Sequence, residues 1–170
     1  MGIKVFDFDI MARDAGATTT AQLIATGRKF LIEFENHIRR CLPVILESTL
    51  TGKSVLKRIE FAKQHGFRVE LHYLDVCRLQ LAAYRVGQRV RLGGHDIPAQ
   101  VQQRRFPRSR ENILPAALLC DETVIWDNSG RKGPVPLVRL LASAPPVFAG
   151  DPPGWVRQLT AGYLAAIKTG

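Results

Sequence analysis

No run of apolar residues in this 170-residue chain approaches the roughly 20 needed for a membrane-spanning helix. The first ten residues, MGIKVFDFDI, carry acids where a secretion signal needs a long apolar stretch. Cysteine is scarce. Cys41, Cys77 and Cys120 are scattered and odd in number, without the spacing of a zinc site or a disulfide framework. They read as buried apolar thiols, and the reading favours a reducing cytoplasm. Internal repeats and low-complexity tracts are also missing. So is a complete phosphate loop. The stretch LPVILESTLTGKS ends like the G-x-x-x-x-G-K-[ST] pattern, but Glu47 stands where its first glycine belongs.

Acidic residues are the other shortage: 15 against 24 Lys and Arg, a net charge of +9. That excess favours anionic partners such as nucleotide phosphates, anionic lipid or nucleic acid. Seven of the cations, all arginine, fall between Arg85 and Arg110, with Asp96 among them and no lysine. Arginine's planar fork suits bidentate phosphate contact. No helix-turn-helix or zinc-finger pattern accompanies these arginines, which disfavours nucleic acid.

With 46% hydrophobic residues, the chain has material for a real core. Residues 2–9 read as a strand closing on Asp7 and Asp9, followed by a loop whose threonines 18–20 are candidate helix caps. Leu23, Gly27, Phe30, Leu31, Phe34 and Ile38 recur at helical spacing. PVIL (43–46) reads as a buried strand. Residues 54–65 read as a helix with Val55, Ile59 and Ala62 on one stripe, stopped by Gly66. A strand over 67–76, a helix over 78–92 and a strand over 123–127 follow, with 136–141 as a further strand candidate. SAPPVFAGDPPG (143–154) reads as a proline-rich connector before a C-terminal packing helix. Strands alternating with helices predict an α/β fold with a mainly parallel sheet. In such sheets ligands gather beyond the carboxyl ends of the strands. There the sequence places Asp7 and Asp9, then Glu47-Ser48-Thr49, then Asp75, then Asp127-Asn128-Ser129.

Between Arg85 and Arg110, Gly93-Gly94 separates two helical arms that carry arginines, so the segment reads as a hinged flap able to close over a polyphosphate. His95 sits inside that flap. His37 and His65 read as surface residues at helix ends, and His72 as a packed strand residue.

ILESTLTGKS, FRVELHYL, RVGQRVRLGGHDIP, RRFPRS and WDNSG, in this order and spacing, resemble the zeta-toxin-like P-loop kinases, relatives of toxins that phosphorylate UDP-N-acetylglucosamine. The likeness runs from about residue 3 to about residue 140. It implies a three-layer P-loop kinase-type domain over residues 1–142 with a helical lid, followed by the 143–170 connector and helix. It also implies ATP-dependent phosphorylation of a substrate hydroxyl with magnesium, and it leaves room for an antitoxin partner. Asp9 falls where the family has its general base, and Asp7 replaces the usual asparagine. Glu47, Ser48, Thr49 and His95 fall on the substrate side. Arg89, Arg105 and Arg108 fall among the phosphate contacts, and Asp127, Asn128 and Ser129 toward the nucleotide. The departure is large: the family's first strand and its G-x-N-G-A-G-K-[ST] loop have no counterpart in these 170 residues. Three expectations follow: a kinase domain lacking that segment, an inactive remnant or ligand-binding pseudokinase, or a basic nucleic-acid-binding module.

Overall fold

The computed structural model describes residues 2–91, 96–142 and 144–169. They form two compact units, Met1–Thr49 with Phe61–Phe67, and Leu50–Glu60 with Arg68–Gly170.

In the first unit, strand β1 (Lys4–Phe6) pairs in parallel with β2 (Val44–Leu46). Parallel neighbours need a crossover, and helices α1 (Phe8–Asp14) and α2 (Thr20–Arg39) supply it. Thr19 opens α2 with a capping box. Its hydroxyl accepts from the Gln22 N–H, while the Gln22 side chain accepts from the N–H groups of Thr18 and Thr19. The helix buries Thr26, Phe30, Phe34 and Ile38, a stripe that repeats every four residues. Leu23 and Leu31, expected on that stripe, lie largely exposed beside it. Phe6 plugs the strand pair onto this helix. Its ring meets Phe30, Phe34 and His37 edge-on at 5.7, 5.5 and 5.2 Å. His37 is therefore half-buried rather than a surface residue, with Nδ1 against the Glu33 carbonyl at 3.0 Å. The expected loop after β1 is instead helix α1, because Asp7 caps it. Asp9 thus lies in a helical turn, not at a strand end.

Helix α3 (Lys53–Gln64) gives residues 53–60 to the second unit and 61–64 to the first. Val55, Ile59 and Ala62 are buried as their spacing predicts. The second unit then runs β3 (Glu70–Asp75), α4 (Leu79–Arg91), α5 (Ala99–Glu111), α6 (Ile113–Leu119), β4 (Glu122–Asp127), β5 (Val135–Leu141), β6 (Ala144–Phe148) and α7 (Gly154–Thr169). Its sheet order is β3-β4-β5-β6. Only β3 and β4 run parallel, while β5 and β6 fold back antiparallel. The fold is α/β as expected, but this sheet is mixed rather than mainly parallel. The sequence cause is local. Gly133, at φ +95°, precedes β5 after a tight turn, and that turn brings the chain straight back beside β4. Strand β6 occupies part of the expected connector. Pro145 and Pro146 are tolerated because β6 ends the sheet order, so it pairs on one side only.

Helices α6 and α7 supply the buried side chains Ile113, Ala116, Ala117, Val156, Thr160 and Tyr163, and β4 and β5 supply Ile125, Val138 and Leu140. The Tyr163 hydroxyl donates to the Leu141 carbonyl at 3.1 Å. Where the helices approach, a Cβ on Gly162 would stand 3.2 Å from Leu114. On the strands, Glu122 is buried yet ionised. Arg139 donates to it at 2.6 Å and Arg68 at 2.7 Å, and Arg68 also reaches Glu70. The hydrogen bond from Arg139, helped by both positive charges, holds the Glu122 carboxyl below its ordinary range.

A depressed carboxylate stabilises the fold above its unfolded pKa, about 4.3, and loses that contribution as pH falls through the lower folded value. Glu122→Gln should therefore melt at a clearly lower temperature than the parent at pH 7, and the gap should narrow as pH falls below about 4. Thermal melts of both proteins across that range check it; a gap independent of pH would show that Glu122 acts by packing alone.

Candidate functional site

Each unit carries acidic groups where two parallel strands end side by side. In the first unit the Glu47 N–H donates to the Phe6 carbonyl at 2.9 Å, extending the β1–β2 ladder by one bond. The next residues on the two strands are Asp7 and Glu47. The Asp7 carboxylate caps α1, accepting from the N–H groups of Asp9 at 2.8 Å and Ile10 at 3.1 Å. It also shares a side-chain hydrogen bond with Glu47. Two carboxyl groups can share such a bond only if one holds a proton. Burial alone would raise the Asp7 carboxyl. The Glu47 bond, the two N–H groups and nearby Arg13 outweigh it and hold Asp7 below its ordinary range. Asp9, Glu47, Ser48 and Thr49 are all exposed. The result is a short rim of carboxyl and hydroxyl groups, chemically suited to a hydroxyl-bearing ligand. Lys53 is an exposed helix residue at the start of α3.

In the second unit, the parallel register sets Asp75 opposite Asp127 at the ends of β3 and β4. Asp75 is buried, and Arg110 of α5 compensates it. The guanidinium grips both carboxylate oxygens, at 3.0 and 2.7 Å, and donates to the Val76 carbonyl at 3.1 Å. Burial pushes the Asp75 carboxyl up and the Arg110 fork pulls it back; burial wins, aided by the Asp127 charge. The same guanidinium lies 4.7 Å from the ring centres of both Phe106 and Trp155. One residue away, Ser109 meets the hydroxyl of half-buried Tyr73 at 2.8 Å.

Asp127, Asn128 and Ser129 build the turn beyond β4. The Asn128 N–H donates to the Asp75 carbonyl at 2.7 Å, and the Ser129 N–H to Asp127 Oδ1 at 2.8 Å. The Ser129 hydroxyl accepts from the Cys77 N–H at 2.8 Å. Arg85 of α4 fans across the turn, donating to the carbonyls of Asn128, Ser129 and Gly130. Two of the seven clustered arginines therefore serve the fold. Arg89 on α4, and Arg105 and Arg108 on α5, are exposed, and their side chains make no hydrogen bond or ion pair among the described residues. Gly93-Gly94 and His95 lie outside the described residues, so the expected hinge does too.

Other sequence expectations shift. Cys41 and Cys77 are exposed, and only Cys120 is buried. Cys41 lies just beyond α2 with φ at +53°. His72 is exposed on β3 rather than packed. Its ring stacks against Trp126 across the sheet, and its Nδ1 accepts from the indole N–H at 3.2 Å. The Asp75–Arg110 pair, missed in the sequence, joins residues 35 positions apart, and no spacing rule links them.

A Haemophilus influenzae protein described as uncharacterized is 35% identical over 83 residues, 49% of this chain. The chain thus covers 59% of that relative's length. No family model matches, and no solved structure does. No helix among the described residues is long and apolar enough to cross a membrane.

Asp7 acts first as a cap, and asparagine caps equally well. Asp7→Ala should destabilise the fold by about 1 kcal/mol, while Asp7→Asn should cost only a small part of that. Denaturant unfolding of the three proteins decides it. Equal losses from Ala and Asn would show that the charge shared with Glu47 matters more than the cap.

Proposed function

We propose that the chain is the acceptor-binding part of a zeta-toxin-like kinase, holding a small, phosphate-bearing molecule with a free hydroxyl, of which a nucleotide sugar is an example. The observation that carries the reading is the division among the clustered arginines. Arg85 and Arg110 are consumed by a turn and a buried carboxylate, whereas Arg89, Arg105 and Arg108 on the same two helices stand exposed without acidic partners. Exposed guanidinium groups on neighbouring helices attract the oxygens of a di- or triphosphate. Within the first unit, taken by itself, the carboxyl and hydroxyl groups of Asp9, Glu47, Ser48 and Thr49 are of the type that binds a hydroxyl, and by the resemblance Asp9 would be the general base.

ATP and magnesium, the family's co-reactants, fit these residues poorly. The sequence has no G-x-x-x-x-G-K-[ST] loop, and no group of three or more His, Cys, Asp or Glu among the described residues could hold a metal ion.

Calorimetry tests it. The parent chain should bind UDP-N-acetylglucosamine or a comparable nucleotide diphosphate more tightly than it binds ATP with magnesium. Arg89→Gln, Arg105→Gln and Arg108→Gln together should weaken diphosphate binding by about 10²-fold or more, given charge-assisted contacts of 1.5–3 kcal/mol each. Tight magnesium-dependent ATP binding would overturn the acceptor reading. So would a preference for single-stranded oligonucleotides with a steep salt dependence.

A further inference from the structure

Strand β3 grips helix α5 at two consecutive residues. Tyr73 and Asp75, two apart and therefore on one face of the strand, hold Ser109 and Arg110. The Tyr73–Ser109 bond is neutral, but the Asp75–Arg110 contact is a buried, two-pronged ion pair. Phe106 and Trp155 close on the same guanidinium. A fork held by two carboxylate oxygens, a carbonyl and two rings has little freedom to rotate or slide. The end of α5 is thus fixed in both azimuth and height against β3. Arg108 lies two residues before Arg110 and inherits that placement. Arg105 lies beyond Pro107, which has no N–H to bond the carbonyl four residues back, so the helix is weakest between the two.

We propose that Asp75 and Arg110 are positioning residues that set where Arg108, and less strictly Arg105, presents its charge to a phosphate-bearing ligand. The inference rests on the anion-binding role given above to Arg89, Arg105 and Arg108. Asp75 touches no ligand in this scheme. Its carboxylate acts only through Arg110 and the backbone of α5.

The test exploits a sign. Asp75→Asn removes a negative charge from an already basic protein, so long-range electrostatics alone would strengthen binding of an anion. Loss of positioning would weaken it. The probe is inorganic tripolyphosphate, titrated calorimetrically onto the full chain, with thermal melts to verify folding. Asp75→Asn should bind it about tenfold more weakly than the parent, because a charged contact displaced by about an ångström loses most of its advantage. Arg110→Lys keeps the cation but not the fork and should fall between the two. If Asp75→Asn does not fold, the double variant Asp75→Asn with Arg110→Gln replaces the buried ion pair by a neutral one and should show the same weakening. A double-mutant cycle should couple Asp75 more strongly to Arg108 than to Arg105. Tighter or unchanged binding in the folded Asp75 variants, while the triple arginine variant loses binding, would overturn the positioning role alone. Unchanged binding in the triple arginine variant would overturn both the role and the reading beneath it.

Discussion

The second unit is organised by the need to end two parallel strands with a carboxylate on each. The β3–β4 register sets Asp75 against Asp127, and like charges side by side at partly buried strand ends repel. The chain resolves this asymmetrically. Asp75 is buried and given a full counter-charge in Arg110, drawn from a helix 35 residues away. Asp127 stays half-buried and is spent on its own turn, accepting from the Ser129 N–H. The direction of α5 follows from that choice, since Arg110 can reach Asp75 only if the end of the helix lies across the end of β3. The place of Arg85 follows too, because the turn it braces is the one Asp127 begins.

The first unit meets a similar problem with different means. Asp7 and Glu47 adjoin at the ends of β1 and β2. Here the Asp7 carboxylate is stabilised by its hydrogen bond with Glu47 and by the N–H groups opening α1. These groups lie nearer the surface, whereas the second unit buries its Asp75 carboxylate.

Elements with their own periodicity were legible in the sequence. The stripe Val55, Ile59, Ala62 and the four-residue rhythm that ends at Phe34 and Ile38 need only local spacing to be found. The threonines before α2 were legible for the same reason, because a cap is a local bond. Helix α1 was hidden because Asp7 reads equally well as a strand end and as a cap. Helix α6, ILPAALL, is too short to display a period, and the prolines of β6 read as a break until the strand's place at the sheet edge is known. At the candidate sites the polar residue types at strand ends were visible. Which of them are committed to the fold was not, since Arg110 and Asp75 declare their role only once α5 lies beside β3.

That difference bears on what an arginine cluster means. Seven arginines without a lysine look like a phosphate surface, because phosphate recognition favours the guanidinium. Yet the two structural uses found here favour it for the same reason. Lysine could not grip both oxygens of Asp75 while lying between two rings, nor fan across the carbonyls of residues 128–130. Arginine-only composition therefore selects for planar, multi-pronged bonding and does not say to what. Exposure without an acidic partner is the sharper criterion, and it divides the cluster. Arg85 and Arg110 fall on the structural side. Arg89, Arg105 and Arg108 fall on the other, together with Arg91 and Arg104. Five like charges on two adjoining helices repel one another and weaken the structure that carries them. A bound polyanion would convert that repulsion into attraction.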